Sequence, residues 1–352
     1  MDPLAVEANV INTVPLSVLD LAVVPSGSTS AEALRNCVAI AQQVEQLGYT
    51  RFWVAEHHGM LGVASSAPAV LIGAVAAATS RIRVGSGGVM LPNHAPMVIA
   101  EQFGMLEALH PGRIDLGIGR APGTDQRTAR ALRRTPDLSA EDFPQDLMQL
   151  RSFFAGTEPG LTAVPAQGNT PGLYLLGSSG FSAQLAGMLG LPFAFAHHFS
   201  GENTLPALAL YRSAFRPSAT LAEPYALVCA SVLLADTTAD ARAMALSGAL
   251  SFVRLRSGRP GVFPSAAEAA AHPWTPQEWA WAQDRIDGQV VGDPALASEQ
   301  LDHLLRATEA DELMVTTMTH DPAARLRSFH LLAELAGGSA EGLALRRPAL
   351  AA

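Results

Sequence analysis

Short apolar runs rich in β-branched residues alternate with longer alanine-rich stretches through most of the chain. This alternation is typical of a parallel sheet whose strands are joined by crossover helices. It predicts strands at 16–24, 51–58, 81–91, 113–120, 173–179, 192–199, 225–235 and 312–320. It predicts helices near 31–47, 67–79, 96–109, 140–155, 181–189, 203–215, 237–249 and 322–336.

Eight strands alternating with eight helices match the count of a (β/α)8 TIM barrel, which is an α/β fold. The alternative is an open doubly wound sheet, for which a GxGxxG turn is expected after the first strand. That turn reads VVPSGSTS, so the barrel is favoured. We expect Ser30 and Asp321 to be helix N-caps and Gly48 and Gly190 to be helix C-caps.

Two stretches fall outside the minimal repeat. Residues 120–140, rich in arginine and proline, should form a loop on the C-terminal face after the fourth strand. Residues 250–292 form a long insertion after the seventh helix, which is either a lid or an oligomer contact. We expect one domain over 1–352, with an N-terminal extension at 1–15 and a tail at 337–352.

The charge pattern excludes several classes of enzyme. All 23 basic residues are arginines, against 32 acidic residues, for a net charge of −9. Schiff-base and pyridoxal-phosphate enzymes, P-loop proteins and protein kinases need a lysine, so none of them fits. A phosphate would have to be held by arginine, hydroxyls and backbone N–H groups. The acidic balance argues against nucleic-acid binding.

Composition also bears on location and assembly. The two cysteines, Cys37 and Cys229, lack a CxxC spacing and should be reduced core residues of a cytosolic protein. The N-terminus does not resemble a signal peptide, and the longest apolar run, 67–78, is too short to span a bilayer. We therefore expect a soluble cytoplasmic protein. Its low charged fraction, 16%, suggests a surface buried in an oligomer.

Polar residues at the predicted strand ends form a candidate active site, because barrel enzymes place catalysis at that face. Glu56, His57 and His58 end the second strand, and His197 and His198 end the sixth. Histidine suits proton transfer near neutral pH. Adjacent histidines on a strand point to opposite sides, so at most one of each pair can enter the mouth while the strand lasts.

Two glycine-containing segments have both a binding and a structural interpretation. Ser178 and Ser179 lie where a strand runs into a helix, which makes either an anion site completed by Arg120 or a simple helix cap. Glycines 85, 87 and 88 interrupt a strand, which indicates either close approach of a ligand or a bend of the barrel.

These pieces, in this order, resemble the bacterial luciferase-like flavin monooxygenases. The likeness covers about 16–336 and is strongest over 50–125, where it is closest to a branch with AEHH and GRAPGTD signatures. The segments that carry it are WVAEHH (53–58), IRVGSGGVMLPNHAPMVIAEQFGMLEALHPGRIDLGIGRAPGTD (82–125) and LYLLGSSGFSAQLAGMLGLP (173–192).

The resemblance implies roles for particular residues. His57 corresponds to the family's catalytic histidine, which assists proton transfers, and Glu56 and His58 flank it. A cis peptide beneath the flavin ring maps to Gly87-Gly88. Luciferase has an acidic residue at the position of Ser178, and its absence here avoids repulsion of the flavin phosphate. Luciferase also has an aromatic residue near the position of His197, so ring contacts on that side stay open. The residues expected to bind the cofactor are Gly87, Gly88, Met90, Arg120, Ser178, Ser179, Ser182 and His198.

The resemblance also implies a reaction: reduced FMN and dioxygen form a flavin C4a-peroxide, which oxygenates a small organic substrate. No NAD(P)H fingerprint is visible, so a separate flavin reductase should supply the reduced flavin, and the family suggests a homodimer. The alternatives are F420-dependent hydride transfer and flavin binding without turnover. A remote alternative is a zinc hydrolase, but its spacing lacks HxH and HExxH, so no metal is expected. Its ligands would be Glu56, His57, His58, His197, His198 and Asp321.

Overall fold

The computed structural model describes residues 10–121, 126–132 and 142–337. The strands in those residues are Leu16–Asp20 (β1), Arg51–Val54 (β2), Arg83–Met90 (β3), Ile114–Gly119 (β4), Gly172–Gly177 (β5), Phe193–Phe195 (β6), Ala226–Leu234 (β7), Val290–Gly292 (β8) and Glu312–Thr316 (β9).

The helices of the same residues fall between these strands. They are Ser30–Gln46 (α1), Pro68–Ala78 (α2), Pro96–Leu109 (α3), Gln126–Leu132 (α4), Phe143–Ala155 (α5), Gly180–Leu189 (α6), Thr204–Ala214 (α7), Thr238–Arg256 (α8), Ala266–Ala271 (α9), Pro276–Asp287 (α10), Pro294–Thr308 (α11) and Pro322–Leu335 (α12). Short 3-10 helices lie at Val10–Thr13, Leu91–Asn93 and Gly201–Asn203.

The sheet closes on itself. Strands β1 to β6 pair in sequence order, β6 pairs with β7, β7 with β9, and β9 with β1, all in parallel. This is a closed barrel of eight parallel strands with helices around it, which confirms the (β/α)8 prediction. The main core lies between the barrel and the helices, and a second apolar cluster fills the barrel interior.

The region after β7 is divided differently from the prediction. Helix α8 continues to Arg256 instead of ending near 249, and α9, α10 and β8 follow it. Helix α11, which was not predicted, packs beside α7, α12 and the 3-10 helix at Val10–Thr13. It therefore takes the place of the seventh barrel helix. The excursion from the barrel runs from α8 to β8, and we call it the cap.

The cap holds together because it has a small core of its own. Side chains from α8 and α10 pack against the outer end of β7 and against β8, which pairs with β7. The buried members of this core are Leu233, Ala235, Ala241, Ala245, Ala249, Ala282, Ile286 and Val291.

The predicted helix ends are largely correct. Asp321 caps α12 by accepting a hydrogen bond from the Ala323 N–H, and Gly190 ends α6 in the left-handed conformation. Gly48 has a φ of +86° and follows the α1 C-cap, Leu47. The α1 N-cap is Thr29, not Ser30, because Thr29 and Glu32 form a reciprocal capping box.

The other predicted segments are described in part. Helix α4 lies inside the predicted 120–140 loop, whereas 122–125 and 133–141 lie outside the described residues. The same holds for 1–9 and 338–352 in the predicted extension and tail. Cys37 and Cys229 are both buried and unbridged, as expected. None of the helices in the described part of the chain is long and apolar enough to cross a membrane.

Candidate active site

Inward-pointing side chains fill the barrel in layers, since alternate residues of each strand face the interior. Arg51 and Glu312 begin β2 and β9, so they lie at the N-terminal end of the barrel. Above them is an apolar layer, and the partly buried Leu21 and Leu176 pack against it. These two side chains form the apolar floor of the barrel mouth. The apolar layer contains Leu19, Trp53, Leu227, Cys229 and Met314.

The charged layer at the N-terminal end is fully paired. Arg51 donates to both Glu312 oxygens at 2.6 and 2.8 Å and to Asp115 at 2.7 Å. Burial alone would raise the pKa of Asp115, but the charges of Arg83 and Arg51 outweigh it and lower that pKa. This layer was not predicted, although charged residues inside otherwise apolar strands were a visible signal.

Glu56 organises the mouth beside β2 and β3. Its carboxylate is fully buried and accepts hydrogen bonds from His58 Nε2 at 2.9 Å and from His94 Nε2 at 2.9 Å. The Met90 N–H donates to its other oxygen at 3.1 Å. Burial alone would raise the pKa of Glu56, but the hydrogen bonds from His94, His58 and Met90 lower it. Glu56 is therefore an ionised anchor that fixes the two imidazoles.

His57 lies next to this anchor. Its backbone N–H donates to the Ser65 carbonyl at 2.9 Å, which ties the end of β2 to the segment before α2. Its half-buried side chain is close enough to His198 to lower the pKa of that ring. His57, which follows β2, and His198, which follows β6, therefore lie within electrostatic range of each other at the barrel mouth.

His197 and His198 diverge. His198 Nδ1 contacts the Cys229 carbonyl at 3.1 Å. Burial is the main cause that lowers the pKa of His198 to about 4. His197 Nδ1 contacts Thr204 Oγ1 at 2.7 Å, and its ring lines a separate cavity of about 430 Å³ between α7 and α11. Of this pair, His198 therefore lies at the mouth, whereas His197 lies beside the separate cavity.

The glycines of β3 are required by packing inside the protein. A Cβ on Gly85 would approach the Asp115 carbonyl oxygen to 2.5 Å, and one on Gly87 would approach Leu19 Cδ1 to 2.6 Å. The strand register shifts between Gly87 and Val89. The Gly87-Gly88 peptide bond is cis, as the resemblance implied.

A candidate anion site lies at the start of α6. Ser179 is its N-cap, with extended backbone and without a side-chain capping bond. The Arg120 guanidinium carbon lies 4.4 Å from the centre of the Phe181 ring in the first turn of this helix. Ser178 is half-buried, whereas Ser182 is buried and packs against Gly177. Arg120 and the serine turn, far apart in sequence, therefore meet at one helix end.

The cap is joined to the loops that follow β1 and β2. Phe263 is buried, and its N–H donates to the Val24 carbonyl at 2.8 Å. The Ser26 N–H donates to the Phe263 carbonyl at 2.8 Å. From α10, Arg285 Nη1 donates to the His198 carbonyl at 3.1 Å. The cap therefore reaches the mouth from two sides.

Two residues of the mouth were not identified as functional from the sequence. His94 lies in the segment after β3, where the sequence predicted a role only for Met90, and Arg285 lies in the 250–292 insertion. Asp321, considered as a metal ligand, caps a helix instead. In the residues that the structure describes, no group of three or more His, Cys, Asp or Glu side chains is arranged to hold a metal ion.

Sequence comparison places this barrel in a family. The family model described as luciferase-like monooxygenase matches residues 14–312. The chain belongs to that family. It is 48% identical over 321 residues to a luciferase-like monooxygenase of Escherichia coli (strain K12), covering 91% of this chain and 96% of the relative. It is 34% identical over 328 residues to the N-acetyl-S-alkylcysteine monooxygenase of Bacillus subtilis (strain 168), covering 91% and 97%.

Solved structures share the fold. Apo-MsnO8 matches with a TM-score of 0.86 at 38% identity, covering 93% of this chain and 99% of that one. The oxygenating constituent of 3,6-diketocamphane monooxygenase from Pseudomonas putida, solved with FMN, matches with a TM-score of 0.69 at 18% identity, with coverage of 93% and 99%. The second likeness bears on the fold alone. The family and its monooxygenase members identify this luciferase-like chain as an oxygenating oxidoreductase.

Proposed function

We propose that this luciferase-like monooxygenase uses reduced FMN and dioxygen to oxygenate a small organic substrate in the barrel mouth. A separate reductase supplies the reduced FMN in this proposal, and the protein works in the cytoplasm as a homodimer. The observation that carries the proposal is the position of Arg120 over the first turn of α6, at the rim of a mouth that also holds Glu56 and His57.

The start of α6 fits a flavin phosphate. N–H groups at a helix N-terminus lack partners within the helix and favour an anion. The Ser179 side chain does not cap them, and Arg120 adds a guanidinium at the same place. Since the chain has no lysine, arginine is the only permanent side-chain cation available for this contact. Ser178 and Ser182 complete the proposed phosphate loop.

The mouth also fits a flat ring system. Leu21 and Leu176 offer an apolar surface above the interior core, and the glycine strand Gly87-Gly88 borders it without side chains. Met90 ends that strand and is bound to Glu56 through its N–H. The isoalloxazine is proposed to lie over this surface, with His198 facing it from the β6 side.

Within this arrangement each residue has a defined task. Reduced FMN would supply the electrons that activate dioxygen. Arg120 and the α6 N–H groups hold its phosphate, Glu56 keeps His58 and His94 in place, and His57 moves a proton at its imidazole nitrogen. The cap limits entry of water, which protects reactive species from side reactions. N-acetyl-S-alkylcysteines, named for the Bacillus subtilis relative, form one substrate class to test.

The phosphate contact gives a direct test. Arg120→Ala should weaken FMN binding by about 1.5–3 kcal/mol, the scale of a hydrogen bond to a charged group. The measurement is titration of the purified protein with FMN and, in parallel, with F420. Arg216→Ala is the matched control, because Arg216 is exposed and lies outside the mouth. Equal FMN affinity in all three proteins would reject the site, and tighter binding of F420 would favour the hydride-transfer alternative.

Oxygen labelling tests the reaction itself. Wild-type protein supplied with chemically reduced FMN and ¹⁸O₂ should place one labelled atom in the product of a converted substrate. NADPH and oxidised FMN in place of reduced FMN should give no turnover unless a flavin reductase is added. Rapid FMN reduction by the protein and NADPH alone would contradict the two-component scheme.

A further inference from the structure

Arg285 reaches the mouth from the cap. It lies in the last turn of α10, and its Nη1 donates to the His198 carbonyl at 3.1 Å. Its guanidinium carbon lies 5.4 Å from the centre of the Phe252 ring on α8. His198 is the residue that shares the mouth with His57, so the Arg285 charge stands at the edge of the proposed reaction site.

Among the residues that the structure describes, the positive charge of Arg285 lacks the carboxylate partner that several other buried or partly buried arginines of the barrel have. Arg51, Arg83 and Arg325 each pair with a buried carboxylate at 2.5 to 2.8 Å. In the part of the chain that the structure describes, Arg285 forms no ion pair, and burial alone lowers its pKa. A guanidinium has five N–H donors, and within the described residues Arg285 uses one of them, in the bond to the His198 carbonyl.

The two residues that contact Arg285 in the described part of the chain, His198 and Phe252, supply no negative charge. His198 stays neutral at pH 7, since its pKa is about 4, and Phe252 presents only a ring face. Arg113 differs from Arg285 in this respect. It is also partly buried, but its guanidinium donates hydrogen bonds to Ile82, Ala76 and Thr79. No Arg285 nitrogen is among the buried polar atoms that lack a partner in the described residues, so its remaining donors are accessible and can receive an anion.

We propose that Arg285 binds a carboxylate of the organic substrate and directs the apolar remainder of that molecule into the barrel mouth. A guanidinium presents parallel N–H groups that match the two oxygens of a carboxylate. One arginine suits a monoanion, and the apolar floor formed by Leu21 and Leu176 suits the remainder. The inference rests on the proposed function, because the bound molecule is taken to be the one that is oxygenated.

Binding of matched probes tests this assignment without turnover. The probes are 4-phenylbutyrate and octanoate, each compared with its neutral amide, together with 1-octanesulfonate. Calorimetry on the protein, with and without saturating FMN, should show each carboxylate binding about tenfold or more tightly than its amide, the scale of a charge-assisted hydrogen bond. Arg285→Met should bring that ratio close to one, whereas Arg285→Lys should keep part of it.

Arg259→Gln is the matched control. Arg259 lies in the same cap, its side chain is 72% exposed, and its loss removes one positive charge from the same region. The carboxylate preference should survive in this variant. Its loss there would mean that general charge, rather than contact with Arg285, attracts the probe, which overturns the proposal.

Two further outcomes overturn the proposal. One is failure of either carboxylate to bind wild-type protein more tightly than its amide, and the other is an unchanged preference in Arg285→Met. Tighter binding of the sulfonate than of octanoate would reject the carboxylate assignment. FMN titration of the same samples separates failure of the carboxylate assignment from failure of the proposed function. The assignment of Arg285 can be rejected while FMN still binds normally.

Discussion

The pKa of His198 reflects the buried and positively charged surroundings of this ring in the mouth. Its ring has a pKa of about 4, below the usual value of 6.5, because burial opposes its charge and Arg285, His197 and His57 repel it. The unfolded chain takes up a proton on this histidine at a higher pH than the folded protein does. Stability therefore falls as the pH drops from about 6.5 to about 4.

We expect His198→Gln to flatten this pH dependence. Urea unfolding at pH 7.5 and pH 4.5 should show that the wild type loses about 2 kcal/mol more than the variant between those values, since one pKa unit is about 1.4 kcal/mol. His303→Gln is the control, because His303 is exposed on α11. An equal loss in wild type and His198→Gln would show that this ring is not held neutral by the fold.

At the scale of elements, the cap is docked through a close backbone contact. Gly62, after β2, lies so near the cap that a Cβ on it would approach the Gly261 carbonyl oxygen to 2.6 Å. The Gly62 carbonyl in turn accepts from the Val24 N–H at 2.9 Å. A side chain at position 62 must therefore push the cap segment away from the β1 and β2 loops.

Gly62→Ala should loosen this docking and expose the end of α8. Trypsin cleaves only after arginine in this lysine-free chain, and Arg256 ends α8 next to the docked segment. Strain of about 1.4 kcal/mol would speed cleavage after Arg256 about tenfold. Gly261→Ala is the matched control, because its added Cβ meets nothing within 4 Å. Equal cleavage rates in both variants would show that the contact does not hold the cap.

Sequence patterns predicted the barrel strands well because buried parallel strands give continuous apolar runs of a recognisable length. They failed between β7 and β9, where four helices and the three-residue strand β8 separate two barrel strands. Local patterns do not show which of those helices packs against the barrel. His94 and Arg285 were missed for a related reason. Their roles depend on contacts with Glu56 and His198, which are distant in sequence, and local patterns do not report such contacts.

At the scale of the whole molecule, the charged layer ties distant parts of the chain together. Arg51 on β2 joins Asp115 on β4 and Glu312 on β9, and Tyr225 donates to Glu312 at 2.6 Å. These residues close the N-terminal end of the barrel beneath the apolar layer. Since their charges are buried and paired, we expect the stability of the barrel to depend on this layer.

Removing Arg51 tests that dependence. Arg51→Met leaves the Asp115 and Glu312 carboxylates buried without their shared cation, and breaking such a pair costs about 3–5 kcal/mol of unfolding free energy. Arg327→Met makes the same substitution in an exposed ion pair with Asp236 and should cost about 0–1 kcal/mol. Urea unfolding measures both. Costs of similar size would mean that the charged layer does not stabilise the barrel, whereas a large loss confined to Arg51→Met would confirm it.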